Sequence, residues 1–399
     1  MEQILVGELF HEETEAGIHR VSARVGAELL WFESSNAQLR LSPEGFASAL
    51  LIPAMSHGRN LVFEDPLCPE WLANTGRIMD YFSRWMGWKP IRIESRFSGA
   101  RPEPSPGVRR ALCFSGGVDS FFSLLTYPKP IDTLVLIHGY DIWLNDEEGA
   151  RVVFETVQRV AAEKGLHAAL IRTNYRDHPI AGRKYRFSYA GALAAIGHLL
   201  DGVGELVVSS GLPRREASFN GSNCETDPLW SSKVMKVDHY GGDFTKNQKI
   251  RAIAASRLAQ QNLRICQQNF YGSFELSEKF LNCGCCQKCI RTMLVLQQEG
   301  HLEDFAVFAN KTDLPMHLDR VMKVPPVFIP AFDEIRRGGV DRQAERAIRA
   351  LKRRSKLLNR MEWAGRRGVK GVFRVIRLLD ALERKFFWIK RMFLLSSRH

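Results

Sequence analysis

Between residues 110 and 258 short apolar runs alternate with segments of helical spacing, and no other feature narrows the fold as much. Residues 110–114, 134–138, 168–172 and 205–209 read as buried strands, and 119–125, 147–164, 185–200 and 247–258 as helices. Repeated βα units need crossover connections, so the expected fold is α/β, a doubly wound parallel sheet covered on both faces. Ligands of such sheets bind beyond the carboxyl ends of the strands.

Proline and glycine cluster at 98–107 and again at 323–339, which predicts three regions. A small N-terminal α+β module spans 1–98, with strands over 18–32, 61–64 and 90–95 and a helix over 71–88. The large domain covers 109–322, and a tail covers 336–399. His11, His19 and His57 read as ordinary histidines of the first module. The net charge of +12 belongs to the tail, which carries 20 lysines and arginines against 5 acids; the remainder has 36 against 39. The chain is 45% hydrophobic and 25% charged, without an apolar run of membrane-spanning length or a secretion signal at Met1, so a cytoplasmic globular protein is expected.

At the end of the first strand of the large domain stands Ser115-Gly116-Gly117-Val118-Asp119-Ser120, and a helix follows at once. Two glycines let the backbone approach an anion, the first-turn amides point at it, and the helix dipole favours negative charge. Ser115 and Ser120 add hydroxyl donors. No Gly-Lys-Ser/Thr ending occurs, so the turn suits a pyrophosphate held by amides and hydroxyls, with Mg²⁺ neutralising most of the charge.

This motif resembles the signature of the PP-loop ATP pyrophosphatase superfamily, which splits ATP to AMP and pyrophosphate while adenylylating a substrate oxygen. The resemblance implies that Ser115, Gly116, Gly117, Val118, Asp119 and Ser120 hold ATP and Mg²⁺. It implies that the turn at Ile137, His138 and Gly139 meets the adenine edge. No protein nucleophile is required, since the substrate's own oxygen attacks the α-phosphorus.

Cys283, Cys286 and Cys289 follow a C-x₂-C-x₂-C spacing, and Cys266 can supply a fourth thiolate to one tetrahedral ion. Zn²⁺ is the expected metal of this zinc–cysteine knot; disulfides and an iron–sulfur cluster are the alternatives, and Cys285 is surplus. A PP-loop followed by such a knot resembles the 7-cyano-7-deazaguanine synthase branch over residues 111–298. That branch's Thr-Lys-x-x-Lys segment is similar to Thr245-Lys246-Asn247-Gln248-Lys249, which implies catalytic roles for Lys246 and Lys249 beside Ser115, Asp119 and Ser120.

The branch's substrate loop is replaced here by residues 209–215 and 221–228. In that loop Arg214 and Arg215 could clamp a carboxylate, and Glu225 or Asp227 could bind an amine or a metal. The leading expectation is an ATP-dependent ligase that activates a carboxylate or amide, on a small molecule or protein, for attack by ammonia or an amine. The alternatives are a tRNA-thiolating enzyme with Cys224 or Cys285 as sulfur carrier, and a non-enzymatic ATP-binding regulatory subunit. The tail reads as two basic amphipathic helices, 342–358 and 372–395, suited to an anionic membrane surface, to RNA, or to its own domain or a second subunit. A homo-oligomer is expected.

Overall fold

The structure is a computed structural model that describes residues 2–15, 17–96, 107–214, 221–268 and 274–366. The break at 98–107, Arg215 and the second tail helix at 372–395 lie wholly or almost wholly outside the described residues. The chain divides into two compact units, one of residues 1–282 with 304–309 and one of 283–303 with 310–399.

The first unit is built on a ten-stranded, mostly parallel sheet. Its elements begin with β1 (Gln3–Glu13), β2 (His19–Val25), β3 (Glu28–Ser34), α1 (Pro43–Ser56), β4 (Asn60–Phe63), α2 (Pro69–Met86) and β5 (Ile93–Ser95). The alternating unit continues with β6 (Arg109–Cys113), α3 (Val118–Thr126), β7 (Thr133–His138), α4 (Glu147–Lys164), β8 (His167–Thr173), α5 (Tyr185–Leu199) and β9 (Val203–Ser209). It closes with β10 (Lys236–Tyr240), α6 (Lys246–Ala254) and α7 (Arg257–Asn262). Strand order is β10-β9-β6-β7-β8-β3-β2-β1-β4-β5. The first five strands pair in parallel, so the α/β sheet stands as expected.

The N-terminal strands do not make a sheet of their own. β3 pairs antiparallel with β8 at Phe32–Thr173 and Glu33–Arg172 and carries the sheet onward. Buried Glu33 braces this joint, taking Arg172 at 2.8 Å and Arg20 at 2.5 Å. The single strand read over 18–32 is a hairpin, because Gly26 turns the chain at φ 66° between β2 and β3.

Helix α1 has no polar stripe to betray it, since it is buried all round. Ser42 caps it through the Gly45 amide, and Pro43 occupies a first-turn position that needs no N–H. Pro53, inside the helix, cannot donate to the carbonyl of Ala49. The Tyr175 hydroxyl donates to that carbonyl instead at 3.1 Å, with Ser188 Oγ 2.9 Å away. Small residues let α1 and α5 approach: a Cβ on Gly191 would fall 2.3 Å from the Ser48 carbonyl. The alanine-rich composition of α5 follows from that closeness.

The second unit contains α8 (Gln287–Gln298), α9 (Leu314–Arg320), α10 (Ile329–Arg337) and α11 (Arg342–Arg366). The proline- and glycine-rich stretch at 323–339 is therefore largely helical, with Pro330 at the start of α10, where a missing N–H costs nothing. Ala344, Ala347, Ile348 and Leu351 of α11 are buried, while Arg354 reaches the carbonyls of Leu318, Val321 and Met322 at the end of α9. Arg342, Arg346, Arg353, Lys356 and Arg360 are exposed. Among the described residues no helix is long and apolar enough to cross a membrane.

Candidate functional site

The order of the parallel block reverses at β6, with β7 and β8 following on one side and β9 and β10 on the other. Such a reversal opens a crevice at the carboxyl ends of the strands. Ser115-Gly116-Gly117 leaves β6 at that point and feeds directly into α3. Gly116 adopts φ 75°, and Gly117 is the N-cap, so the following amides are aimed out of the helix start. The turn is latched from behind, since the Arg264 amide donates to the Gly116 carbonyl at 2.7 Å.

Asp119 occupies the first turn of α3 and meets two lysines from α6. Lys246 Nζ contacts one carboxylate oxygen, and Lys249 Nζ lies 3.3 Å from the other. Thr245 and Gln248 form a reciprocal capping box that fixes the start of α6, and the i, i+3 spacing puts both ammonium groups on one face. Lys249 is 1% exposed and also donates to the Ser210 carbonyl beyond β9 at 2.5 Å. Burial pushes the Asp119 carboxyl up, but the two ammonium groups outweigh that and hold it below the ordinary carboxylate range. The cluster thus offers an ionised carboxylate and two cations beside an amide-lined turn. That chemistry fits a polyphosphate and a divalent cation, with Asp119 as the candidate metal ligand.

The remaining residues expected there divide. Ser120 is buried and returns its hydroxyl to the Gly117 carbonyl at 3.0 Å, while Val118 packs in the core. Ile137 and His138 are buried at the end of β7. His138 Nε2 is 2.9 Å from the Trp143 carbonyl, pinning the next loop, and the Gly139 amide donates to Ile142 at 2.9 Å. A side chain at 139 would collide with the Thr173 carbonyl, 2.0 Å from the Cβ position. Arg214 is exposed and paired with Asp243 at 3.3 Å, and Glu225 is exposed.

Asp227 does not offer a free carboxylate to substrate. It is 1% exposed and accepts from Ser222 Oγ at 2.5 Å and the Asn223 amide at 3.0 Å, with His239 Nδ1 at 2.7 Å. His239 was not singled out from the sequence, although it stands just before Gly241-Gly242 at the end of a short strand. Cys113, in the strand before the anion turn, is a half-buried thiol whose pKa desolvation raises to about 12, so it is unsuited to thiolate chemistry.

Cys266, Cys283, Cys286 and Cys289 are all buried, with sulfurs within 4.8 Å of one another. Sγ separations of 3.9 Å for Cys283–Cys289 and 3.5 Å for Cys286–Cys289 bracket the roughly 3.8 Å edge of a tetrahedron with ~2.3 Å Zn–S bonds. All eight cysteines are free of disulfides. The amides of Cys285 and Cys286 both donate to Cys283 Sγ at 3.4 Å, which stabilises a thiolate there. Gly284 makes this knuckle possible, since at φ 74° its Cβ position lies 1.8 Å from the Asn310 carbonyl. The group could hold a metal ion such as zinc, and Cys285 is not part of it.

No family model, curated protein or solved structure matches the chain.

Proposed function

We propose that the protein is an ATP-dependent adenylylating ligase of the PP-loop, 7-cyano-7-deazaguanine synthase-like type. The observation that carries this reading is Asp119, ionised between Lys246 and Lys249 at the mouth of the anion turn, where the strand order reverses. ATP would lay its pyrophosphate across the amides after Gly117, with Mg²⁺ on Asp119 and the two lysines facing the leaving phosphates. Mg²⁺ supplies charge neutralisation of the leaving group. The protein's share is to fix that charge in place and to hold the acceptor oxygen in line with the α-phosphorus. Ammonia or an amine then displaces AMP from an acyl adenylate to give an amide, whereas an adenylylated primary amide loses AMP and its N–H proton to give a nitrile. Zinc on the four thiolates would be structural, because four protein ligands leave no open position.

The test incubates purified protein with Mg-ATP, ammonium and 7-carboxy-7-deazaguanine and follows nucleotide and acceptor by mass spectrometry. AMP, pyrophosphate and a nitrogen-bearing product are expected. Formation of ADP and phosphate would refute adenylylation.

A further inference from the structure

The carboxyl end of β10 holds a second constellation that neither the anion turn nor the thiol group uses. Asp227 and His239 form a pair in which both side chains are almost wholly buried, 1% and 3% exposed. Among the described residues the carboxylate is hydrogen-bonded by Ser222, Asn223 and the imidazole. The ring cannot turn without abandoning that carboxylate. With Nδ1–H donated to Asp227, the neutral ring carries its lone pair on Nε2.

The Nε2 edge is turned toward Gly242, 3.9 Å from that residue's Cβ position, and Ser210 Oγ comes within 3.7 Å of the same point. Ser210 is also the residue whose carbonyl takes Lys249, which in turn reaches Asp119. His239 and Ser210 thus both border Gly242, and Ser210 is joined through Lys249 to Asp119 at the anion turn. Gly241 and Gly242 put no side chain over this stretch. Beside it, Asn223 is 5% exposed and its Nδ2 has no hydrogen-bond partner among the described residues. A buried donor left unpaired is costly, so it marks a place where a ligand's acceptor would be welcome. A buried carboxylate–imidazole hydrogen bond is costly to desolvate and gives little stability over apolar packing. An imidazole fixed in one tautomer, with its other nitrogen turned toward Gly242, is what proton transfer requires.

We infer that His239 is the base for the nitrogen nucleophile and that Asp227 is its positioning residue. The identity of this step rests on the adenylylation reading. The amine nitrogen bonds to the acyl carbon of the adenylate, and the carbon–oxygen bond to AMP breaks with its electron pair leaving on the phosphate. The proton released by nitrogen passes to Nε2 and then to water. Asp227 stabilises the imidazolium formed on the way.

Two measurements on the full chain test this. Long-range ¹H–¹⁵N spectra of the imidazoles at pH 8 should place the His239 proton on Nδ1, and Asp227→Asn should release that preference. A proton on Nε2 in the wild type overturns the inference whatever reaction the protein performs. His239→Asn keeps a side-chain N–H near the Nδ1 position, so the loop anchor and the urea midpoint should persist. With Mg-ATP, 7-carboxy-7-deazaguanine and ammonium, this variant should lose about 100-fold or more in product formation. Hydroxylamine, a much weaker base that sheds its proton to water unaided, should still trap the adenylate and release AMP. Full ammonia turnover by His239→Asn overturns the role of His239 while leaving adenylylation standing. ADP instead of AMP from the wild type overturns adenylylation and the step assigned to His239 with it.

Discussion

Acid should loosen this protein through one histidine far from the crevice. His198 is fully buried on α5, its Nε2 3.0 Å from the Trp230 carbonyl and its Nδ1 without a partner among the described residues. Burial disfavours the imidazolium more than nearby Glu44 favours it, lowering the pKa from 6.5 to about 4. A depressed folded-state value means that the full contribution is present above the unfolded pKa. It is then lost as pH falls, because the unfolded chain takes the proton first. The linkage reaches about 1.4 kcal/mol at pH 5.5 and about 3 kcal/mol at pH 4. Urea unfolding of the wild type and His198→Gln at pH 7.5 and 5.5, followed by tryptophan fluorescence, isolates this term. Glutamine retains a donor for the Trp230 carbonyl but does not titrate. The wild type should lose about 1.4 kcal/mol more than the variant between the two pH values. Equal losses would refute the assignment. Glu205, held at about 2 chiefly by Arg110 and Tyr127 against its own burial, protonates only below this window.

Tyr175→Phe should cost about 1–3 kcal/mol in chemical denaturation, since it strands the Ala49 carbonyl that Pro53 already leaves unbonded; a loss under ~0.5 kcal/mol would contradict that account. Purified protein should carry about one zinc per chain by elemental analysis, lost in Cys289→Ser and kept in Cys285→Ser. Equal retention by both variants would remove the four-thiol site. Asp119→Asn should lower AMP formation about 100-fold or more with a modest change in stability, and unchanged turnover would displace Asp119 from the site.

The parallel block was legible because its strands are short apolar runs and its helices carry their period, down to the capped starts of α4 and α6. α1 was not, because a helix buried on every side has no amphipathic signal for a pattern to detect. β10 escaped for a related reason: Lys236-Val237-Asp238-His239-Tyr240 is too polar to read as a buried strand, since its side chains serve ion pairs and the crevice. The predicted helix over 247–258 is two, α6 and α7, with Ser256 capping the second through the Ala259 amide. At the site, adjacency carried the information. Ser115 to Ser120 and the C-x₂-C-x₂-C run are contiguous, whereas Asp227 and His239 are brought together by a side-chain hydrogen bond that spacing does not reveal. The same limit made Asp227 look like a free substrate ligand.

The antiparallel joint between β3 and β8 also sets a clock on folding. Bonds of the joint such as Ser34 with Leu170 and Trp31 with Asn174 link residues 136 and 143 positions apart. On a ribosome adding about 5–20 residues per second, β3 waits roughly 7 to 29 s for its partner. Throughout that interval the N-terminal hairpin presents Leu30, Trp31 and Phe32 along an unpaired edge, a template for wrong partners. Pauses in translation anywhere between residues 35 and 173 lengthen that exposure, so the yield of folded protein should be governed by synthesis rate as much as by final stability.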